Sequence, residues 1–238
     1  VLCALFYAFV ATAWVTLSST SPEDSLSNRR LYLAFLASQP FKYLPSSLFT
    51  FTARMRFAQH AGLTARRAAV VTLLDGLLLI GSGASLWVLG LWPYGTALVL
   101  VCGSLTVLLW GYVQRCLGWL GRRRGLEAVP HISRGVLAKV GTLYLLGWIC
   151  AGLALVFLAS SFGAKMNPTT VREIVGVNAG AFAASIVAVF APAGLGVRET
   201  VLLNGNVAAE AILAWRVMTA SFDILGGAVG ALALRSRR

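Results

Sequence analysis

Two aspartates lie inside apolar stretches of this 238-residue chain, Asp75 in LLDGLLLIGSG and Asp223 in SFDILGGAVG. An acid at the centre of a spanning helix costs ~2.5–3.5 kcal/mol on insertion scales, so it faces a cavity or pairs with a base. Arg54, Arg198 and Arg216 are the natural partners. Two readings stay open. The acids lock helices together through ion pairs, or they line a polar path and exchange protons.

The octapeptide Pro192-Ala193-Gly194-Leu195-Gly196-Val197-Arg198-Glu199 carries the most chemistry. Gly194 and Gly196 allow backbone conformations closed to other residues and let a ligand come close. A helix beginning near Val197 would turn its free N–H groups and positive dipole end toward the break, which suits an anion. Arg198 adds a planar, permanently charged fork matched to phosphate, and in a membrane the obvious phosphate is a lipid's. The plainer reading is a tight helix–helix turn held by an Arg–Glu pair. Lys42-Tyr43-Leu44-Pro45 offers a second cation beside an interfacial tyrosine, or simply an amphipathic segment with a snorkelling lysine.

These residues need a scaffold, and the composition points to a bilayer. Of all residues 58% are hydrophobic and only 12% are charged, about half the charge of an ordinary soluble domain (~25%). The mean hydropathy is +0.79. Such a chain has too little polar surface for a water-facing globule. It does supply repeated runs of the ~20 apolar residues that cross a membrane as helices. The expected fold is all-α: a polytopic integral membrane helical bundle in one domain, residues 1–238.

Spans are expected at 1–18, 68–90, 94–113, 137–160, 172–191 and 217–234. Residues 31–58 are apolar but interrupted by Pro40, Lys42 and Pro45. Proline removes a backbone donor and clashes with the preceding turn, so two half-helices meeting at 40–47 are expected there, as a re-entrant pair or a broken span. Residues 193–215 must return the chain across the bundle, yet they hold Arg198, Glu199, Asn204, Asn206 and Glu210. They are expected to pack inside the protein as a polar-faced span or a re-entrant turn.

The two irregular regions echo each other. Pro45 precedes Asp75 by 30 residues and Pro192 precedes Asp223 by 31. Each stretch reads as broken helix, basic residue, connector, then an acid-bearing helix with a glycine-rich tail. Inverted repeats with discontinuous helices build midplane sites in many transporters, and the halves expected are about 31–113 and 137–238.

The formal charge is +12, from 20 Lys and Arg against eight Asp and Glu. The basic residues cluster between apolar runs, as cytoplasmic loops do, so nucleic acid is not an expected partner. Loops 54–67 and 114–134, the latter with Arg122-Arg123-Arg124, and the Arg-Ser-Arg-Arg end are expected on the cytoplasmic side of a cell membrane. The sequence opens on Val1, already apolar, so a truncated N-terminus is expected, without a signal peptide. Cys3, Cys102, Cys116 and Cys150 lack metal-ligand spacing and read as small apolar fillers. No catalytic set, phosphate-binding nucleotide loop or metal spacing is visible, so neither enzyme activity nor a cofactor is expected.

At its two motifs the chain resembles the membrane domain of lysylphosphatidylglycerol synthases/flippases, over most of its length from about residue 31. That family carries Lys-Tyr-(Ile/Leu)-Pro-Gly, then an arginine, a glycine-containing connector and an acid-bearing helix, and later Pro-Gly-Gly-(Leu/Ile)-Gly-x-x-Glu. Here the first reads Lys42-Tyr43-Leu44-Pro45-Ser46-Ser47, then Arg54, Gly62-Leu63-Thr64 and Asp75. The second is the octapeptide ending in Glu199. Ser46 and Ala193 replace glycines, and Asp75 stands where glutamate is commoner. The aminoacyl-transferase domain that follows in full synthases has no counterpart in these residues, so lysyl transfer is not expected of them.

The resemblance implies translocation of a lipid or lipid-linked precursor between leaflets, with an anionic phospholipid or a polyprenyl-phosphate-linked molecule as partner. Lys42, Tyr43, Arg54, Asp75, Gly194, Gly196, Arg198, Glu199 and Asp223 are the expected substrate-binding residues. An alternative stays open: a non-transporting membrane subunit that docks a glycosyltransferase or lipid synthase through Arg122–Arg124. A membrane-embedded transferase is the least supported, because no base or nucleophile stands at either motif.

Overall fold

The computed structural model describes residues 1–19, 27–46, 48–92, 95, 110–112, 114–115 and 132–235. Every regular element among them is helical. The order is α1 (Leu2–Ser18), α2 (Asn28–Ser38), a 3₁₀ turn (Gln39–Tyr43), α3 (Leu48–His60), α4 (Ala65–Leu91), α5 (Arg134–Ser161), α6 (Pro168–Val187), a second 3₁₀ turn (Pro192–Gly194), α7 (Val197–Asn204) and α8 (Ala209–Arg235).

Helices α4, α5, α6 and α8 are long and apolar enough to cross a membrane, making this a polytopic all-α bundle. At 1.5 Å per residue the 27-residue α4 and α8 reach ~40 Å, more than the ~30 Å hydrocarbon layer. Three of these helices start on side-chain caps that satisfy otherwise orphaned N–H groups. Thr64 accepts from Arg67 N, Ser133 from Val136 N, and Asn167 from Thr170 N. Their outward faces are apolar: Leu73, Leu77, Leu213, Leu225 and Leu232 are all exposed, as lipid-facing positions should be.

Close helix contacts run through small residues, the usual solution where lipid removes the hydrophobic drive between helices. A methyl placed on Gly90 of α4 would lie 2.8 Å from Gly176 Cα of α6, and one on Gly83 would lie 2.9 Å from Ala179 O. Residue numbers rise on α4 as they fall on α6, so these helices are antiparallel. Helices α2 and α8 are antiparallel by the same pattern, with Gly227 against Pro40 and Gly230 against Ala37.

The two interrupted regions are helical hairpins. In the first, α2 and α3 flank the turn at Gln39–Tyr43. In the second, α7 doubles back along α6: Gly194 lies against Ser185 and Gly205 against Val177. The eight residues of α7 rise only ~12 Å, so 193–215 is not a crossing of its own. It divides into the hairpin's short returning limb and the first turns of α8.

Two boundaries differ from the sequence expectation. Helix α6 ends at Val187 rather than 191, because the chain must turn before Pro192. Helix α8 begins at Ala209 rather than 217, because Ala211, Ile212 and Trp215 of its first turns are buried in the bundle and Arg216 pairs with Glu199. The expected span 94–113, the loop 114–134 with Arg122–Arg124, and the C-terminal arginines after Arg235 lie largely or wholly outside the described residues.

Candidate functional site

The tips of the two hairpins touch, and the charged residues of the sequence motifs gather around that meeting point. Asp75 is completely buried in α4. Its carboxylate accepts from Arg54 of α3 and from the Tyr144 hydroxyl of α5. Arg54 also donates to Ser38 Oγ at 3.3 Å. Asp223, equally buried in α8, pairs with Lys42 Nζ at 2.7 Å. It also accepts from Tyr43 at 2.8 Å and from Tyr7 of α1 at 2.7 Å. Each acid thus sits in a desolvated place and is neutralised there, as burial demands.

The tyrosines cross over. Tyr7 belongs to the first half of the chain and serves the acid of the second. Tyr144 belongs to the second half and serves the acid of the first.

The hairpins match in detail. Ala34-Phe35-Leu36-Ala37-Ser38 closes α2, and Ala181-Phe182-Ala183-Ala184-Ser185 lies near the end of α6. In both, the serine hydroxyl donates to the phenylalanine carbonyl at 2.6 Å. In both, the arginine of the returning limb lies over the phenylalanine ring: Arg54 at 4.5 Å from Phe35 and Arg198 at 4.6 Å from Phe182. These are favourable cation–π separations.

One difference breaks the match. Arg54 is paired with an acid, and among the described residues Arg198 is not. Arg198 is 4% exposed, its Nε has no hydrogen-bond partner, and among the described residues no ion pair is formed by its guanidinium, which lies over the Phe182 ring. The acid of its half, Asp223, is already taken by Lys42. Lys42 follows Phe35 by seven residues, where the second half has Val189 after Phe182. The lysine in the first tip therefore leaves the arginine of the second unpaired.

A cavity of about 100 Å³ opens between the tips, lined by Lys42, Arg54, Asp75, Ser185, Gly194 and Arg198 together with Phe35, Phe51, Phe182 and Ile186. One water needs ~10–15 Å³ by this measure, so there is room for a phosphate group but not for acyl chains. Gly194 fits its place for two reasons. Its φ is +68°, and a Cβ there would lie 2.1 Å from Ser185 Cβ.

The remaining sequence candidates sit to the side. Tyr43 and Asp223 do not line the cavity and act through Lys42. Glu199 is not aimed at a ligand: its Oε2 accepts from Gly196 N at 2.7 Å, and Oε1 pairs with Arg216 Nε at 2.5 Å. The start of α7, expected to offer free N–H groups to an anion, has a cap residue without a side chain, so its first-turn N–H groups are left uncapped, and Glu199 is spent on the N–H before them and on Arg216. Gly196, at φ +82°, is that cap residue. Arg216 further ties α8 to the turn by donating to Ala193 O at 3.0 Å.

Sequence reasoning missed Tyr7, Tyr144, Phe35 and Phe182. The paired Ala-Phe-x-Ala-Ser segments were the available signal for the phenylalanines. No family model, curated protein or solved structure matches the chain.

Proposed function

We propose that this protein translocates a phosphate-bearing lipid between bilayer leaflets. The observation that carries the reading is Arg198: a buried guanidinium without an ion-pair partner among the described residues, lining a phosphate-sized cavity between two hairpin tips. An unpaired buried charge costs several kcal/mol, and a ligand anion would remove that cost.

The depth of the site supports the reading. Asp75 is the eleventh residue of α4, ~15 Å from its start, near the middle of a ~30 Å layer. Both hairpins then read as re-entrant, entering from opposite faces and meeting at the midplane, and the crossed tyrosines read as an inverted repeat. The tips carry exposed apolar side chains, Leu44, Leu48, Phe190 and Leu195, against which acyl chains can lie while the phosphate passes. The resemblance to lysylphosphatidylglycerol synthase/flippase membrane domains points the same way. So does the basic balance of the chain, with its arginine-rich loops on the cytoplasmic side of the cell membrane.

The test is leaflet exchange in liposomes. With fluorescent phosphatidylglycerol and an impermeant quencher, wild-type protein should render inner-leaflet probe accessible, and Arg198→Ala should lower the rate by about 10-fold or more, equivalent to ~1.4 kcal/mol. Equal rates in both proteins, across phosphatidylglycerol and polyprenyl-phosphate probes, would refute it.

A further inference from the structure

A second opening lies at the other end of the first hairpin, where α2 starts and α3 and α8 end. Its volume is about 380 Å³. Arg30, His60 and Arg235 stand on its rim, each from a different helix. All three are exposed, and among the described residues neither arginine forms an ion pair. The His60 ring is held in place by its Nδ1, which meets Arg56 O at 2.7 Å. No acid lines the groove among the described residues. Arg30 and Ser38, the partner of Arg54 beside the tip cavity, are ~12 Å apart along α2. The two openings are therefore separate.

Below the rim the groove turns apolar at once. Leu33, Phe57, Ala231 and Leu234 form its floor. Leu33 is ~4.5 Å from Arg30 along α2, and Ala231 is ~6 Å from Arg235 along α8. Phe57 is backed by Phe41, with ring centroids 5.9 Å apart.

We infer that this groove binds a long-chain carboxylate, a fatty-acid anion, as a ligand that is held rather than moved. A guanidinium fork matches a carboxylate through two parallel hydrogen bonds, and here two forks flank one opening. The spacing of charge and floor selects the carboxylate over a phospholipid. In a fatty acid the methylenes begin at the carboxyl carbon, so a head group at the rim lays its chain directly on Leu33 and Phe57. In a diacyl phospholipid the glycerol and two esters lie beneath the phosphate. They would meet a floor whose side chains donate no hydrogen bond, and a buried polar group without a partner is costly. A carboxylate between Arg30 and Arg235 joins α2 to α8 at their open end. Lys42 and Asp223 join the hairpin to α8 at the tip. Occupancy therefore ties the hairpin to α8 at both ends.

The test is photolabelling of the full chain in phosphatidylcholine nanodiscs. The probe is palmitate with a diazirine close to the carboxylate, at a pH where the carboxylate is ionised. Peptide mass spectrometry should find adducts at Leu33, Phe57 or Leu234. Unlabelled palmitate should displace the probe, and its methyl ester and phosphatidylglycerol should each compete about 10-fold less well. Arg30→Gln and Arg235→Gln should each weaken probe binding about 10-fold, the loss of one charge-assisted contact. Ala231→Phe fills the floor and keeps both arginines, so it should abolish labelling, which general attraction to a basic surface would not do. Equal competition by the methyl ester would overturn the role of charge and with it the inference. Equal competition by phosphatidylglycerol would overturn the choice of a carboxylate. Labelling unchanged in both arginine variants would overturn the site. The competition arms need only wild-type protein, so a variant that misfolds leaves the inference falsifiable. None of these readouts depends on Arg198, so failure here is distinct from failure of the translocation reading.

Discussion

The Arg54–Asp75 pair offers a calculable perturbation. Asp75 is fully buried and Arg54 is 8% exposed, so neither can recover its hydration if the other is lost. Arg54→Met leaves a buried carboxylate held only by Tyr144. Asp75→Asn leaves a guanidinium held by Ser38 and the Phe35 ring. Each single change should cost about 3–5 kcal/mol, the usual consequence of orphaning one member of a buried pair. The double variant carries no unpaired charge and should cost only about 1–2 kcal/mol, because neutral replacements of buried pairs are well tolerated. The coupling energy is then at least about 4 kcal/mol. A pair attraction of ~4 kcal/mol at an effective dielectric of ~20 agrees with it. Unfolding measured by steric trapping in bicelles, on all four members of the cycle, gives the number directly. Coupling below about 1 kcal/mol would mean that the pair is solvated or absent and would refute the reasoning.

Other consequences can be read from stability alone. Tyr7→Phe and Tyr144→Phe should each lower stability by about 1–2 kcal/mol, between the membrane average for side-chain bonds and the value for bonds to charged groups; unequal losses, with one near zero, would break the reciprocity of the two halves. Ala193 sits at φ 49°, a left-handed conformation costing ~1–2 kcal/mol for a residue with a Cβ. After the added flexibility of glycine in the unfolded chain, Ala193→Gly should stabilise by roughly 0.5–1 kcal/mol, seen as a higher midpoint in thermal unfolding. Gly90→Val should cost about 1–3 kcal/mol by forcing α4 away from α6, while Gly141→Ala, with nothing within 4 Å of the new methyl, should match wild type or exceed it.

Much of this arrangement was legible in the sequence for a specific reason. Charges inside apolar spans are rare and must be answered, so Asp75, Asp223, Lys42, Arg54 and Arg198 announced themselves. Prolines 40, 45 and 192 announced the breaks. What could not be read was which partner answers which charge. Lys42 was a candidate cation, but nothing in the spacing says that it reaches across to Asp223 and so frees Arg198. Tyrosines in apolar helices look like core or interfacial residues, so Tyr7 and Tyr144 became visible only when the helices were placed side by side. The start of α8 was set too late because hydropathy counts Glu210 and Arg216 as solvent-seeking. Arg216 is in fact satisfied by Glu199 and Ala193 O. Glu199 itself stands three residues after Gly196, the spacing of a helix cap, and that reading would have removed it from the ligand-binding set.

The most direct test is to ask whether an anionic lipid enters between the hairpin tips. Photoactivatable phosphatidylglycerol, with the reactive group beside the phosphate, should label Phe51, Phe182 or Ile186 in wild-type protein, as mapped by peptide mass spectrometry. In Arg198→Ala that labelling should disappear, while labelling of the outward-facing Leu73 and Leu77 persists. Adducts confined to the outer surface in both proteins would contradict the account.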